Sequence, residues 1–174
     1  GDIVGNGYEN LIFIKKGLNA EAYRVKAKNG KIYFLKIFNY SKLHRNSFDD
    51  NNNLLESSIL KNISHANIVS FVESGEMIID SNKYGYLVLE FIAGETLEEK
   101  FCREKINTIY DLKLIISGIL EALKYLHNLE EPIIHNEISL QNIMIDMSGK
   151  ISVPKLIDFG HARSFYQSSS TYLH

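Results

Sequence analysis

At 174 residues and 19.9 kDa, the chain has the length of one domain, since domains run on the order of 100–200 residues. Its 45% hydrophobic and 23% charged residues exclude a disordered or collagen-like chain and supply enough apolar side chain for a core. Nineteen Lys and Arg against 21 Asp and Glu leave a formal charge of −2, without the cationic excess that binding a phosphate backbone needs, so nucleic acid is not an expected partner.

No apolar run approaches the roughly 18 residues that cross a bilayer, and no charged-then-apolar leader opens the chain. The expectation is a chain with no membrane anchor. Cys102, the single cysteine, can form neither an internal disulfide nor a cysteine metal cage; it suits a reducing compartment and reads as a small half-buried hydrophobe.

Residues 8–38 alternate short apolar runs with turn signals: 11–14, 23–27 and 32–38, the last two separated by Asn29-Gly30. Asn-Gly between such runs is a strong hairpin signal, so a three-stranded antiparallel meander is expected. Leu54, Leu55, Ile59 and Leu60 recur at helical spacing behind the polar start Ser47-Phe48-Asp49-Asp50, which predicts a helix over about 48–63. Runs at 71–72 and 77–79 lead to a second turn at Asp80-Ser81-Asn82, and 86–89 reads as a fifth strand. Gly94 then punctuates the chain. Ile109, Leu112, Ile115, Ile116, Ile119, Leu120, Leu123 and Leu126 mark a long amphipathic helix over 108–128, with Thr108 as its cap and Pro132 beyond its end. Short strands are expected at 133–134, 143–145, 151–153 and 156–157 around turns such as Ser148-Gly149-Lys150.

Five features fall in a fixed order. They are a glycine-bearing hairpin at Gly17-Leu18-Asn19-Ala20-Glu21-Ala22, a lysine closing Tyr33-Phe34-Leu35-Lys36, and a glutamate in Leu54-Leu55-Glu56-Ser57-Ser58-Ile59-Leu60 trailed by His65-Ala66-Asn67-Ile68-Val69. His135-Asn136-Glu137-Ile138-Ser139-Leu140-Gln141-Asn142 and Leu156-Ile157-Asp158-Phe159-Gly160 complete the set. Taken singly, Lys36 would be a surface lysine, Glu56 a solvated carboxylate, and the Asp-Phe-Gly triplet a chance match. Together, over residues 17–160, they resemble the eukaryotic-like protein kinase family. The resemblance implies an α+β, two-lobed fold: a five-stranded antiparallel N-lobe with one helix over residues 1–93, and a short, mainly helical C-lobe over 94–174. Because 14 residues follow Gly160, the expectation is a minimal or C-terminally truncated kinase domain. The Ser168–Tyr172 stretch is read as a solvated end or a phosphorylated tail.

The resemblance also implies roles. Lys36 would hold the nucleotide α- and β-phosphates, and Glu56 would pair with it. Gly17, Ala20 and Ala22 occupy the glycine-rich loop, in the register that puts Lys36 14 positions after Ala22. Leu89, Glu90, Phe91 and Ile92 would form the strip that hydrogen-bonds adenine, with Met144 its apolar floor. Asn142 and Asp158 would ligate Mg²⁺, with Mn²⁺ as a substitute, and Glu137 would orient the acceptor hydroxyl. His135 is expected to be structural, stacked with Leu60, Phe71 and Phe159.

Five features depart from the family pattern, one of them Ser139 in place of the lysine that many members aim at the transferred phosphate. The loop has fewer glycines, and Phe34 stands where the family has alanine above adenine, either trading volume with Ala22 or filling the pocket. Glu137 replaces aspartate, so positioning alone expects Glu137→Asp to be faster. Asn136 replaces the arginine that reads a phosphorylated activation loop. The leading functional expectation is an ATP- and Mg²⁺-dependent protein kinase of reduced size, acting on Ser or Thr of a protein substrate or with an activating protein partner. It would work in the cytoplasm, or in a host cytosol if it is a secreted effector. The alternatives are a pseudokinase that serves as a binding module and, third, a small-molecule phosphotransferase.

Overall fold

The computed structural model describes residues 7–103 and 109–166. The expected cap Thr108 and the serine-rich stretch after residue 166 lie outside them. The chain divides into two compact units, one of Gly1–Ile63 and Ser70–Phe91, the other of Ser64–Val69 and Ile92–His174.

In the first unit, strands β1 (Tyr8–Lys16), β2 (Glu21–Ala27), β3 (Ile32–Asn39), β4 (Phe71–Ile79) and β5 (Asn82–Glu90) form one antiparallel sheet in the order β1-β2-β3-β5-β4. The aromatic and branched residues of these segments suit the pleated surface. Both expected turns form. Gly30 takes φ 86° in the β2–β3 turn, while Asp80 (φ 48°) and Ser81 (φ 65°) make a two-residue link whose left-handed backbone matches strand twist. The period of two then sorts the faces. Val25, Leu35 and Val88 are buried with Tyr8 in a core on one side. Ala22, Lys36 and Leu87 lie side by side across β2, β3 and β5 on the other, and Phe34 lies beside Leu89.

The expected helix over 48–63 is shorter: α1 runs only from Leu55 to Leu60. Asp49 accounts for the difference. Its Oδ1 accepts from the Asn51 and Asn53 N–H groups (2.9 and 2.8 Å) and its Oδ2 from the Ser58 hydroxyl (3.0 Å), so a side chain satisfies amides that a helix would have used. Asn52 sits at φ 61°, incompatible with continuous helix.

The second unit contains β6 (Gly94–Thr96), α2 (Leu97–Arg103), α3 (Ile109–His127), β7 (Ile133–Ile134), β8 (Ile143–Asp146), β9 (Val153–Leu156) and β10 (Arg163–Ser164), paired as β6-β8-β9 and β10-β7. Sequence periodicity passed over α2. Its start is a capping box: Thr96 Oγ1 accepts from Glu99 N–H (3.1 Å), and Glu99 Oε2 accepts from Thr96 N–H (2.9 Å). Cys102 is exposed on α2 rather than half-buried, because Leu97 alone is buried on this helix. Only one of the two apolar stripes of α3 is covered: Ile115, Ile119, Ala122 and Leu126 are buried, whereas Ile109, Leu112, Ile116 and Leu120 are exposed.

Residues 64–69 belong to this unit through β9. Val69 N–H donates to Leu156 O (2.9 Å), Leu156 N–H to Asn67 O (2.8 Å), and Asn67 Nδ2 to Pro154 O (2.9 Å). Helix α3 approaches the same strand at Gly118, where an added Cβ would fall 2.5 Å from Pro154 Cγ and 2.9 Å from Asn67 Nδ2. Glycine is needed there for closeness rather than for backbone freedom. Helix propensity alone makes Gly118→Ala stabilising by about 1 kcal/mol; overpacking against the rigid proline ring reverses the sign, to a loss of about 1–2 kcal/mol, measurable as a lower urea midpoint.

Candidate functional site

Within the first unit the central feature is Lys36, whose Nζ lies 2.6 Å from Glu56 Oε1. Strand register turns Lys36 to the face opposite the Leu35 core, and Glu56 reaches it from the first turn of α1, where a carboxylate also favours the helix dipole. Both side chains are withdrawn from water, at 14% and 5% exposure. The ammonium also lies 5.5 Å from the Phe38 ring centroid.

Around Lys36 the other expected residues divide. Ala22 is buried directly opposite it on β2. Half-buried Phe34 pairs with Arg24 on one side and Leu89 on the other, so Phe34 and Ala22 are diagonal cross-strand neighbours, within reach of an aromatic side chain. Gly17 N–H donates to Ala20 O (2.8 Å), forming the β1–β2 turn with Leu18 fully exposed at its tip. Glu90 N–H is spent on Ser70 O (3.0 Å), and its Oε1 accepts from Ser70 N–H (3.0 Å), so this amide is committed within the sheet.

Within the second unit, residues 135–142 form a loop held by side-chain bonds to backbone. His135 is 1% exposed and stacks edge-on against buried Phe159, with centroids 4.8 Å apart. Its Nδ1 accepts from Glu137 N–H (3.2 Å) and its Nε2 donates to Ile157 O (3.2 Å). This arrangement requires the neutral ring with the proton on Nε2. Burial holds its pKa below the ordinary histidine value, against the opposing pull of the Ile157 carbonyl bond and the Asp158 and Glu137 charges. Asn142 Nδ2 donates to Glu137 O (2.9 Å), which leaves the Oδ1 lone pairs to accept a hydrogen bond or coordinate a cation, and Asn142 O accepts from Ile157 N–H (2.9 Å). Asp158 takes φ 57°, and its Oδ1 accepts from Gly160 N–H (3.1 Å).

Ile92 is buried and Met144 half-buried, opposite Thr96 and Lys155 in β6 and β9. Glu137 points its carboxylate at a residue that sequence reasoning did not single out: His161 Nδ1 lies 2.6 Å from Glu137 Oε2. Leu60 is buried in the first unit, where Phe71 is half-buried.

No cluster of three His, Cys, Asp or Glu side chains capable of holding a metal occurs among the described residues. A carboxamide oxygen and a carboxylate, as at Asn142 and Asp158, nevertheless suit Mg²⁺. This hard ion takes few protein oxygens and completes its shell with water and phosphate.

A family model for the protein kinase domain matches residues 8–173. The chain is 33% identical over 141 residues to the probable serine/threonine-protein kinase fhkD of Dictyostelium discoideum, covering 80% of this chain and 18% of that protein. It is 28% identical over 180 residues to a probable serine/threonine-protein kinase of Clostridium perfringens (100% and 24% covered), and 30% identical over 168 residues to cyclin-dependent kinase 14 of Xenopus tropicalis (96% and 37%). The chain thus spans well under half the length of these relatives. No helix among the described residues is long and apolar enough to cross a membrane.

The state of His135 sets a pH dependence. Its folded pKa is depressed, so between that value and the unfolded value of about 6.5 the unfolded chain binds the extra proton. The stability that this ring contributes is therefore fully present above pH 6.5. It falls as pH drops through that window, by up to about 1.4 kcal/mol per unit from this group. Urea midpoints between pH 8 and 5 should decline accordingly, and the His135 ring resonance should titrate below 6.5; a midpoint at or above 6.5 rejects the neutral, doubly bonded ring.

Proposed function

Because the chain belongs to the protein kinase family, we propose that it carries the nucleotide-binding and catalytic-loop portion of an ATP- and Mg²⁺-dependent kinase that phosphorylates Ser or Thr hydroxyls of proteins. The observation that carries this reading is the sheltered Lys36–Glu56 pair at 2.6 Å. It holds an ammonium at a fixed point on a strand, the requirement for gripping nucleotide phosphates.

Each remaining residue has a role in this reading. Ala22, Phe34 and Leu89 give the Lys36 side of the sheet an apolar lining against which a base can lie, and the Gly17–Ala20 turn offers backbone near phosphate. Ile92 and Met144 contribute apolar surface on the second unit. Asn142 Oδ1 and Asp158 would hold Mg²⁺, which supplies charge neutralisation at the transferring phosphate. Glu137 orients the acceptor hydroxyl: as the hydroxyl oxygen bonds to the γ-phosphorus and the β–γ bridging P–O bond breaks to release ADP, the hydroxyl proton passes to the Glu137 carboxylate. A cytoplasm, where ATP is abundant and the exposed Cys102 thiol stays reduced, is the setting we propose.

A binding module without catalysis is the second reading, favoured by half-buried Phe34 on the Lys36 face, where the ring could occupy the space of a base. Thermal-shift titration separates the two. Saturation at about 100 times Kd stabilises the nucleotide-bound state by about 2.7 kcal/mol, so ATP with Mg²⁺ should raise the midpoint by several degrees in the wild type and by little in Lys36→Met. Phosphate transfer from radiolabelled ATP should vanish in Asp158→Ala. No nucleotide-dependent stabilisation of the wild type leaves the binding-module reading in place.

A further inference from the structure

Two of the positions that depart from the family pattern, Asn136 and Glu137, converge on a single residue. Asn136 Nδ2 donates to the His161 carbonyl (3.0 Å), and His161 Nδ1 lies 2.6 Å from Glu137 Oε2. A carboxylate can only accept, so Nδ1 carries the proton. Asn136 reaches this position on a left-handed backbone, φ 67°. The contacts close a ring in which adjacent residues 136 and 137 hold the main chain and the side chain of the same histidine. The main chain of residue 137 is fixed in turn, its N–H by His135 Nδ1 (3.2 Å) and its carbonyl by Asn142 Nδ2 (2.9 Å). Only the Glu137 side chain, one rotatable bond longer than aspartate, lacks restraint from its own loop.

From this geometry we propose that His161 is a positioning residue for Glu137: its Nδ1–H grips Oε2, removes the freedom that the extra methylene introduces, and leaves Oε1 to the acceptor hydroxyl. At 59% and 41% side-chain exposure, the pair is too open to water to contribute much to stability. Its value is geometric, because displacement of a catalytic group by about 1 Å can cost on the order of 100-fold in rate. The pairing also reverses the expectation from length alone. Shortening residue 137 to aspartate draws the carboxylate away from His161 and slows the reaction rather than speeding it.

The inference rests on Glu137 acting as the group that orients the acceptor, and the test separates the two claims. Phosphate transfer from ATP with Mg²⁺ to a degenerate Ser/Thr peptide library is measured for the wild type, His161→Ala, His161→Asn, Glu137→Asp and the Glu137→Asp/His161→Ala double variant. Nucleotide-induced thermal shift is measured alongside. His161→Ala should lower kcat about tenfold with the KM for ATP and the thermal shift unchanged. His161→Asn, whose amide places a donor near the position of Nδ1, should recover most of the rate. Glu137→Asp should be slowed to a similar degree, and adding His161→Ala to it should cost nothing further, the signature of a coupled pair. Wild-type rates in His161→Ala, a faster Glu137→Asp, failure of the asparagine variant to recover activity, or equal losses in both backgrounds would overturn the positioning role while leaving the kinase reading intact. A wild type that transfers no phosphate would overturn both.

Discussion

An ammonium and a carboxylate brought 2.6 Å apart with little water around them is an unusual use of stability. Withdrawing each ion from solvent costs several kcal/mol, and the mutual attraction often does no more than offset that, so apolar side chains of similar size would hold the same elements together at least as well. The Lys36–Glu56 pair is therefore poorly explained as glue and well explained as a device that keeps a charge in place. Much of the first unit follows from it. Lys36 faces Glu56 because β3 alternates, with Leu35 and Ile37 turned to the other side. Glu56 can answer only if α1 sits at one fixed height along the sheet.

Helix α1 could not hold that position by itself. Six residues make fewer than two turns, and isolated helices below roughly 12–15 residues are marginal in water. Its placement comes from the burial of Leu55, Ile59 and Leu60 and from the Asp49 turn in front of it, whose carboxylate reaches the Ser58 hydroxyl inside the helix. The segment that looked in sequence like a longer helix is better understood as a short helix with a side-chain clamp at its start. The clamp fixes where the helix begins, and hence where Glu56 points.

That difference marks what was legible in the sequence. Strands and tight turns were, because alternation and Asn-Gly or Asp-Ser signals act over a few residues and the sheet obeys them. The Lys36–Glu56 contact was legible only through the order of motifs, since nothing local in either residue announces a partner twenty positions away. The length of α1 was not, because apolar spacing counts Leu54 through Leu60 while the competing Asp49 bonds depend on three asparagines adopting a turn. Helix α2 was missed although its capping pair, Thr96 and Glu99, stood in plain view; in seven residues it offers only Leu97, Phe101 and Cys102 as apolar positions, too few for a periodicity argument to register. His161 had no signal of its own. Its only trace was that two neighbouring loop positions departed from pattern together.

The loop at 135–142 shows why such departures can travel together. Apart from a single 3-10 turn at Leu140–Asn142, the loop has no regular structure, and its backbone is pinned by side chains: His135 on the amide of residue 137, Asn142 on its carbonyl, and Ile157 on both His135 and Asn142. The histidine and asparagine of the motif thus act first as braces for the residue between them, which keeps its main chain in place whatever side chain it bears. A glutamate can replace an aspartate there without disturbing the loop, and the burden of the change passes outward to whatever meets the longer side chain. Networks of this kind are rigid only when each polar member is satisfied. His135 meets that condition as a neutral ring, with each nitrogen committed to one backbone group and Phe159 closing the apolar side, so the brace and the buried core below it are one structure.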